Sequence, residues 1–133
     1  MEPAEIARYQ DPETIQRLLH NAKTIAVVGL SGNHLRASNF VGFYLQRHGY
    51  NVVPVNPRES EILGATSYAS LTDAAHEVGT IDIVNVFRDP SAVPDIATEA
   101  VAVGARSIWL QFGVISPEGV AIAEEGGLDV VMD

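Results

Sequence analysis

The chain contains no cysteine, which excludes disulfides, thiolate catalysis and sulfur-based metal sites. Positive charge is scarce: eight Lys and Arg stand against 17 Asp and Glu, for a formal net charge of -9. Nucleic acid needs a basic surface, so a nucleic-acid partner is not expected. An anionic small ligand stays open, because it responds to the local field of a pocket rather than to net charge. Long apolar runs are missing too; none approaches the roughly 18 residues of a membrane-spanning helix. Met1–Gln10 holds two acidic residues and no apolar core segment, unlike a signal peptide. The expected setting is cytoplasmic, away from membranes. No HExxH helix, Ser–His–Asp order or carboxylate dyad is visible, so no catalytic residue and no metal site is expected.

What is present is a globular composition. With 133 residues, 47% of them hydrophobic, the chain is expected to form one domain, residues 1–133, with a core of its own. Turn and cap signals alternate with apolar runs in the βαβ manner. Asp11 as N-cap and Pro12 at the first helical position predict a helix with Ile15, Leu18, Leu19 and Ala22 on one face. A first strand is predicted at Thr24–Val28. The next helix starts near Ser38, with an apolar stripe at Phe40, Val41, Tyr44 and Leu45 and a stop at Gly49. A second strand, Asn51–Val55, closes on Asn56-Pro57. Ser70 and Asp73 form a capping box for a helix ending at Gly79. A third strand at Ile81–Phe87 precedes a helix capped by Ser91 and stopped at Gly104. A fourth strand spans Ser107–Phe112. Ser116-Pro117-Glu118 opens a last helix ending at Gly126-Gly127, and a fifth strand covers Leu128–Val131.

This pattern predicts an α/β fold: a doubly wound, five-stranded parallel sheet of order 3-2-1-4-5, helices on both faces, and an extra N-terminal helix. In such sheets ligands sit outside the carboxyl ends of the strands, near the switch point. The most informative of those ends is Thr24–Val28 running into Gly29-Leu30-Ser31-Gly32. A strand that breaks into a glycine loop and then a helix can hold phosphate on backbone N–H groups and the helix N-terminus. It is not the G-x-G-x-x-G fingerprint, because Ser31 stands where the second glycine would be. The second strand also lacks the carboxylate that takes ribose hydroxyls in NAD sites; Arg58 follows instead, and Glu59 and Glu61 come late. Arg58 suits a phosphorylated ribose, as in NADP or coenzyme A, or a solvated loop position.

Seven short motifs then occur in order: Gly29-Leu30-Ser31, Arg36-x-Ser38, Gly49-Tyr50, Pro54-Val55-Asn56-Pro57, Ile62-Leu63-Gly64, Asp82-Ile83-Val84 with Val86-Phe87-Arg88, and Trp109-Leu110-Gln111-x-Gly113. From about Thr24 to Asp133 the chain resembles the small stand-alone CoA-binding domain proteins, which are similar to the N-terminal domain of the succinyl-CoA synthetase alpha subunit. The resemblance implies a Rossmann-like domain that binds coenzyme A or an acyl-CoA. Carried over by position, Gly29, Leu30 and Ser31, with Gly32 beside them, would hold the pyrophosphate, and Arg36 and Ser38 would stand at the loop mouth. Val55, Asn56, Pro57 and Arg58 would border the adenosine and its 3′-phosphate. Phe87 and Arg88 would lie along the nucleotide or pantetheine, and Gln111 and Gly113 near the outgoing arm. His34 replaces a proline found in many relatives, and the chain ends at Asp133 where relatives continue through a cysteine-containing segment.

From the residues themselves, Ser38 suits a helix cap and a ligand contact alike. Phe87 suits the core or a ligand platform, and Trp109 a place under a helix. His20, His48 and His76, on helices, read as surface or packing residues, His34 in the first loop suits a phosphate contact or a solvated position, and Asp82 and Asp89 read as turn and capping residues. The expected role is thus a non-catalytic binding, carrier or regulatory module, with a homo-oligomer or a partner protein left open. An NAD(P)-binding redox-sensing or dehydrogenase-like domain is one alternative. A protein-interaction domain with a vestigial nucleotide pocket is the other.

Overall fold

Short β-branched runs and amphipathic segments alternate along the chain because each needs a different neighbour to cover its apolar side. In the computed structural model, which describes residues 1–132 and leaves Asp133 outside the described residues, they form these elements in order: α1 (Pro3–Ala7), α2 (Pro12–Asn21), β1 (Thr24–Val28), α3 (Ala37–Arg47), β2 (Asn51–Val55), β3 (Glu61–Ile62), β4 (Ala65–Thr66), α4 (Leu71–Val78), β5 (Ile83–Val86), a 3-10 turn at Pro90–Ala92, α5 (Val93–Ala102), β6 (Ser107–Leu110), α6 (Pro117–Glu125) and β7 (Asp129–Met132). Local chemistry sets many of the boundaries. The side chains of Asp11, Ser70 and Ser116 accept the third N–H of their helices, from Thr14, Asp73 and Gly119, which satisfies groups a helix start leaves unpaired. Gly49, at φ +88, ends α3, and Tyr50 N–H returns to the Leu45 carbonyl at 3.1 Å, as a left-handed cap requires.

The main sheet is parallel, in the order β2-β1-β5-β6-β7. It is the doubly wound α/β fold that the pattern predicts, with one difference of placement. The chain moves outward from β1 to β2 and then returns across β1, so Ile83–Val86 lies directly beside β1 and not beyond β2. The place beyond β2 is taken by a single parallel bridge, Tyr68 to Val55. Pro54 explains why no ladder grows there: it has no N–H to give, and only its carbonyl is used, by Tyr68 N–H at 3.0 Å.

Alternate residues along each strand face opposite layers. Ile25 and Val27 of β1 pack with Leu18 of α2 and Leu45 of α3. Ala26 and Val28 pack into the layer that holds Leu71 of α4, Ile96 of α5 and Val120 of α6. Two helices therefore cover one face and three cover the other. The N-terminal helix of the sequence pattern is α2; the preceding α1 was not foreseen. The segment after α1 docks at the sheet edge, where Tyr9 donates from its hydroxyl to Glu124 at 2.8 Å and accepts Met132 N–H on its carbonyl at 3.0 Å. Burial raises the Tyr9 hydroxyl above its ordinary pKa, with the Glu124 carboxylate adding to the effect.

Two local expectations are corrected. Helix α3 buries only part of the stripe: Leu45 is buried and Val41 half-buried, but Phe40 and Tyr44 are exposed, as is Phe43, and the buried face is Ser38, Asn39, Gly42 and Leu45. At Gly42 the helix sits too close to Leu30 and Leu63 for aromatics on this face. A Cβ on Gly42 would lie 3.0 Å from Leu30 Cδ1 and 3.1 Å from Leu63 Cδ1. Ser91 does not cap α5, whose N-cap is Ala92 without a side-chain bond; Asp89 caps the 3-10 turn that leads into it. Its carboxylate accepts Ser91 N–H at 2.9 Å and Ser91 Oγ–H at 2.7 Å, and the Ser91 backbone bond first, then its hydroxyl, hold the acid below its ordinary pKa.

Candidate functional site

The carboxyl ends of β2, β1 and β5 open into a cleft of about 580 Å³. The reason is topological. The chain leaving β1 turns to α3 on one face, and the chain leaving β5 turns to α5 on the other, so nothing fills the gap between them. Eleven residues line it: Gly29, Ser31, Arg36, Ala37, Ser38, Val55, Asn56, Pro57, Arg58, Phe87 and Arg88. Ten of these belong to the residues carried over by resemblance. Ala37 is the one not anticipated, and its signal was available, since it follows Arg36 in the first turn of the helix.

Four expected residues are elsewhere. Leu30 is fully buried beneath α3. Its apolar side chain joins the α2–α3 core, and its carbonyl accepts Asn56 Nδ2–H at 3.0 Å. Gly32 points its N–H away from the cleft to Glu59 Oε2, at 2.9 Å. Gln111 gives its side-chain amide to the buried Asn85 on β5, so it completes a polar pair within the sheet layer. Gly113 lies in the turn that follows, closed by Val114 N–H on the Gln111 carbonyl at 2.9 Å. Trp109, one strand position before that edge, packs against the α2–α3 core as expected.

The loop after β1 is already hydrogen-bonded within the protein. Gly29 N–H donates to the Val55 carbonyl at 2.9 Å, Ser31 N–H to Ser38 Oγ at 3.0 Å, Asn33 N–H to Ser31 Oγ at 3.1 Å and Leu35 N–H to Asn33 Oδ1 at 2.9 Å. Ser38 is thus neither the helix cap nor an idle hydroxyl; from the first turn of α3 it ties down the loop. Gly29 has φ +90, and a side chain there would run into the Phe87 carbonyl. Its conformation and the close approach of β5 both require glycine.

What remains for an anion is the start of α3 and three arginines. Arg36 occupies the N-cap and makes no capping bond with its side chain. The first-turn N–H groups at Ala37 and Ser38 therefore end at the cleft uncapped, with the positive end of the helix dipole behind them. Arg36, Arg58 and Arg88 are all exposed, and the two ion pairs among the described residues, Arg17–Asp129 and Arg106–Asp82, involve none of them. No carboxylate is among the lining residues. A sequence signal for this was overlooked: between Glu13 and Glu59 there is no Asp or Glu, while Arg17, Lys23, Arg36, Arg47 and Arg58 make up five of the eight cations. The cleft is built mainly from that stretch, so a protein of net charge -9 presents a locally positive pocket. Phe87 serves two ends, half-buried against the α2–α3 core and also lining the cleft.

The other acids expected to be structural are so placed. Asp82 accepts Lys23 N–H at 2.9 Å and Thr24 N–H at 3.0 Å, which anchors the start of β1 at the opposite edge of the sheet. Among the described residues, no group of three or more His, Asp or Glu side chains is arranged to hold a metal, and no helix is long and apolar enough to cross a membrane.

Comparison with known proteins adds to this geometry. The model of the CoA binding domain family matches residues 23–133. A Bacillus subtilis (strain 168) protein described as uncharacterized protein YneT is 40% identical over 119 residues, covering 90% of this chain and 86% of its own length. A solved structure described as a hypothetical protein from Pyrococcus horikoshii OT3 superposes with a TM-score of 0.86 at 36% identity, over 91% of this chain and 83% of that one. The dinucleotide forming acetyl-coenzyme A synthetase 1 of Ca. Korarchaeum cryptofilum shares the fold at 23% identity and a TM-score of 0.73; the match covers 84% of this chain and 26% of that one.

Proposed function

Since the chain belongs to the CoA binding domain family, we propose that its cleft binds coenzyme A or an acyl-CoA, and that residues 1–133 act as a single non-catalytic binding, carrier or regulatory module. The observation that carries this reading is the convergence of Arg36, Arg58, Arg88 and the uncapped start of α3 on one cleft without a carboxylate. Coenzyme A brings a diphosphate and a ribose 3′-phosphate, and guanidinium groups meet phosphates through paired, charge-assisted hydrogen bonds. The diphosphate is taken by Arg36, Arg88 and the first turn of α3. The loop amides, bonded within the protein, shape the wall instead of cradling the phosphate. Asn56, Pro57 and Arg58 border the adenosine, with Phe87 as an apolar surface for the arm.

A thermal-shift titration with CoA, 3′-dephospho-CoA, NAD and NADP tests the proposal. A ligand at 100 times its Kd adds about 2.7 kcal/mol of stability, so a specific ligand is easily seen. Stabilisation by CoA that shrinks with the dephospho form is the expected result. Stabilisation only by NAD or NADP would transfer the site to a redox-sensing domain. Silence from all four would leave a nucleotide-free interaction domain as the better account.

A further inference from the structure

Glu59 is the first carboxylate after β2, yet it is absent from the cleft lining. Its side chain turns back instead: Oε2 accepts Gly32 N–H at 2.9 Å and lies 3.4 Å from Asn56 Nδ2. Glycine at position 32 makes room for this. A Cβ there would press into the carboxylate, with its carbon at 2.9 Å and Oε2 at 3.0 Å. The bond joins the loop after β1 to the loop after β2, across one side of the cleft. Doubly wound nucleotide sites place an acid at the end of the second strand when the ribose carries free hydroxyls, and an arginine when it carries a phosphate. Here the nearest acid is held on a backbone N–H, while Arg58 has no ion pair among the described residues. Its own N–H is fixed by Asn56 Oδ1 at 2.8 Å. Glu61, the next acid, belongs to β3 and is exposed outside the lining.

We infer that Gly32 is a specificity-determining position of the cleft: by leaving room for the Glu59 carboxylate on its N–H, it keeps that charge away from the ribose position and leaves Arg58 to select nucleotides with a phosphorylated ribose over those with free hydroxyls. The inference rests on the proposed nucleotide reading of the cleft and adds to it the reason for discrimination.

The test compares Kd for CoA and 3′-dephospho-CoA in the wild type, Glu59→Gln, Gly32→Ala and the Gly32→Ala/Glu59→Gln pair. In Gly32→Ala the new methyl group expels the carboxylate toward Arg58. Binding of CoA then weakens about tenfold relative to 3′-dephospho-CoA, the scale of one charge-assisted hydrogen bond. Glu59→Gln alone leaves the wild-type preference in place, and the pair restores it, because the expelled group is no longer charged. An unchanged preference in Gly32→Ala, or no restoration in the pair, overturns the inference while CoA binding itself stands. A wild type that binds neither ligand overturns the nucleotide reading, and this inference with it. A measurement that leaves Gly32 in place covers the case of a Gly32→Ala variant that does not fold. Glu59→Gln moves the Gly32 amide proton shift, because the carboxylate accepts that N–H, and it moves it equally with CoA bound. If CoA abolishes the difference between Glu59→Gln and the wild type, the phosphate has displaced Glu59 and the inference fails.

Discussion

The carboxyl ends of β1 and β6 lie on the same edge of one sheet, with only β5 between them, yet only the first opens into a cleft. Both strands run out into a polar turn with a positive-φ glycine, Gly29 in one case and Gly113 in the other. The difference is in the neighbours. Beside β1, the chains leaving β1 and β5 depart toward opposite faces, and the gap collects Arg36, Arg58 and Arg88. Beside β6, the chains leaving β5 and β6 both turn to the same face, where α5 and α6 pack together. No gap forms, and Gln111 spends its amide on Asn85. Polar residues at a strand end become a site only where the topology separates the backbones around them.

Substituting the two glycines gives the widest contrast. Gly29→Val places a β-branched residue at φ +90 against the Phe87 carbonyl, and strain with overpacking should cost about 2–5 kcal/mol. Urea unfolding would show it as a large fall in midpoint. Gly113→Ala has nothing within 4 Å of the added Cβ and should lose only about 1–2 kcal/mol, from its positive φ. Equal losses at the two positions would erase the structural distinction.

The next effect is on binding. Arg36→Ala and Arg88→Ala should each weaken CoA by about 1.5–3 kcal/mol, measured by calorimetry at low salt. The melting temperature of the ligand-free protein should hardly move, because neither side chain has an ion pair to lose among the described residues. Gln111→Ala should do the reverse. It leaves the buried Asn85 amide without its partner, for a stability loss of about 1–3 kcal/mol, and changes CoA affinity by less than about 0.3 kcal/mol. A strong loss of affinity in Gln111→Ala would bring the β6 end into the site after all.

The smallest effect concerns pH. Asp89, next to Arg88, is held below its ordinary value of 3.8 by the Ser91 hydrogen bonds. A carboxylate whose pKa is lowered by folding stabilises the fold above its unfolded pKa, and that contribution is lost as pH falls through the lowered folded value. Asp89→Ala should therefore lower stability slightly near neutrality and flatten the acid limb of the stability curve. Parallel acid limbs for variant and wild type would show that the turn gains nothing from the charge.

The parts of the fold that were readable from the sequence depend on contacts within a few residues. Asp11, Ser70 and Ser116 cap their helices through a bond three residues away, and Gly49 ends α3 in a left-handed turn, so spacing alone reveals them. Ser91 misled because a 3-10 turn precedes α5, and Asp89, as a charged acceptor, caps that turn through Ser91. The stripe on α3 misled for a different reason: Phe40 and Tyr44 repeat at helical spacing, but Gly42 lets the helix approach Leu30 and Leu63 until only small or polar groups fit between. Much of the cleft lining was legible through the motif order, since ten of the eleven lining residues were among those carried over.

By itself, the sequence determined the α/β alternation, the strands of the main sheet but not the short β3–β4 pair, most caps and the uneven charge that makes a positive pocket possible on an acidic protein. These are properties of composition and short spacing, and they hold wherever the segments end up. The tertiary structure alone decided that β5 lies beside β1, that Gln111 serves Asn85, and that Glu59 closes on Gly32, 27 residues earlier. A hydrogen bond between distant segments leaves no periodic mark in the chain. Its partners are chosen only when packing has fixed which backbones approach and which polar groups would otherwise be left unpaired.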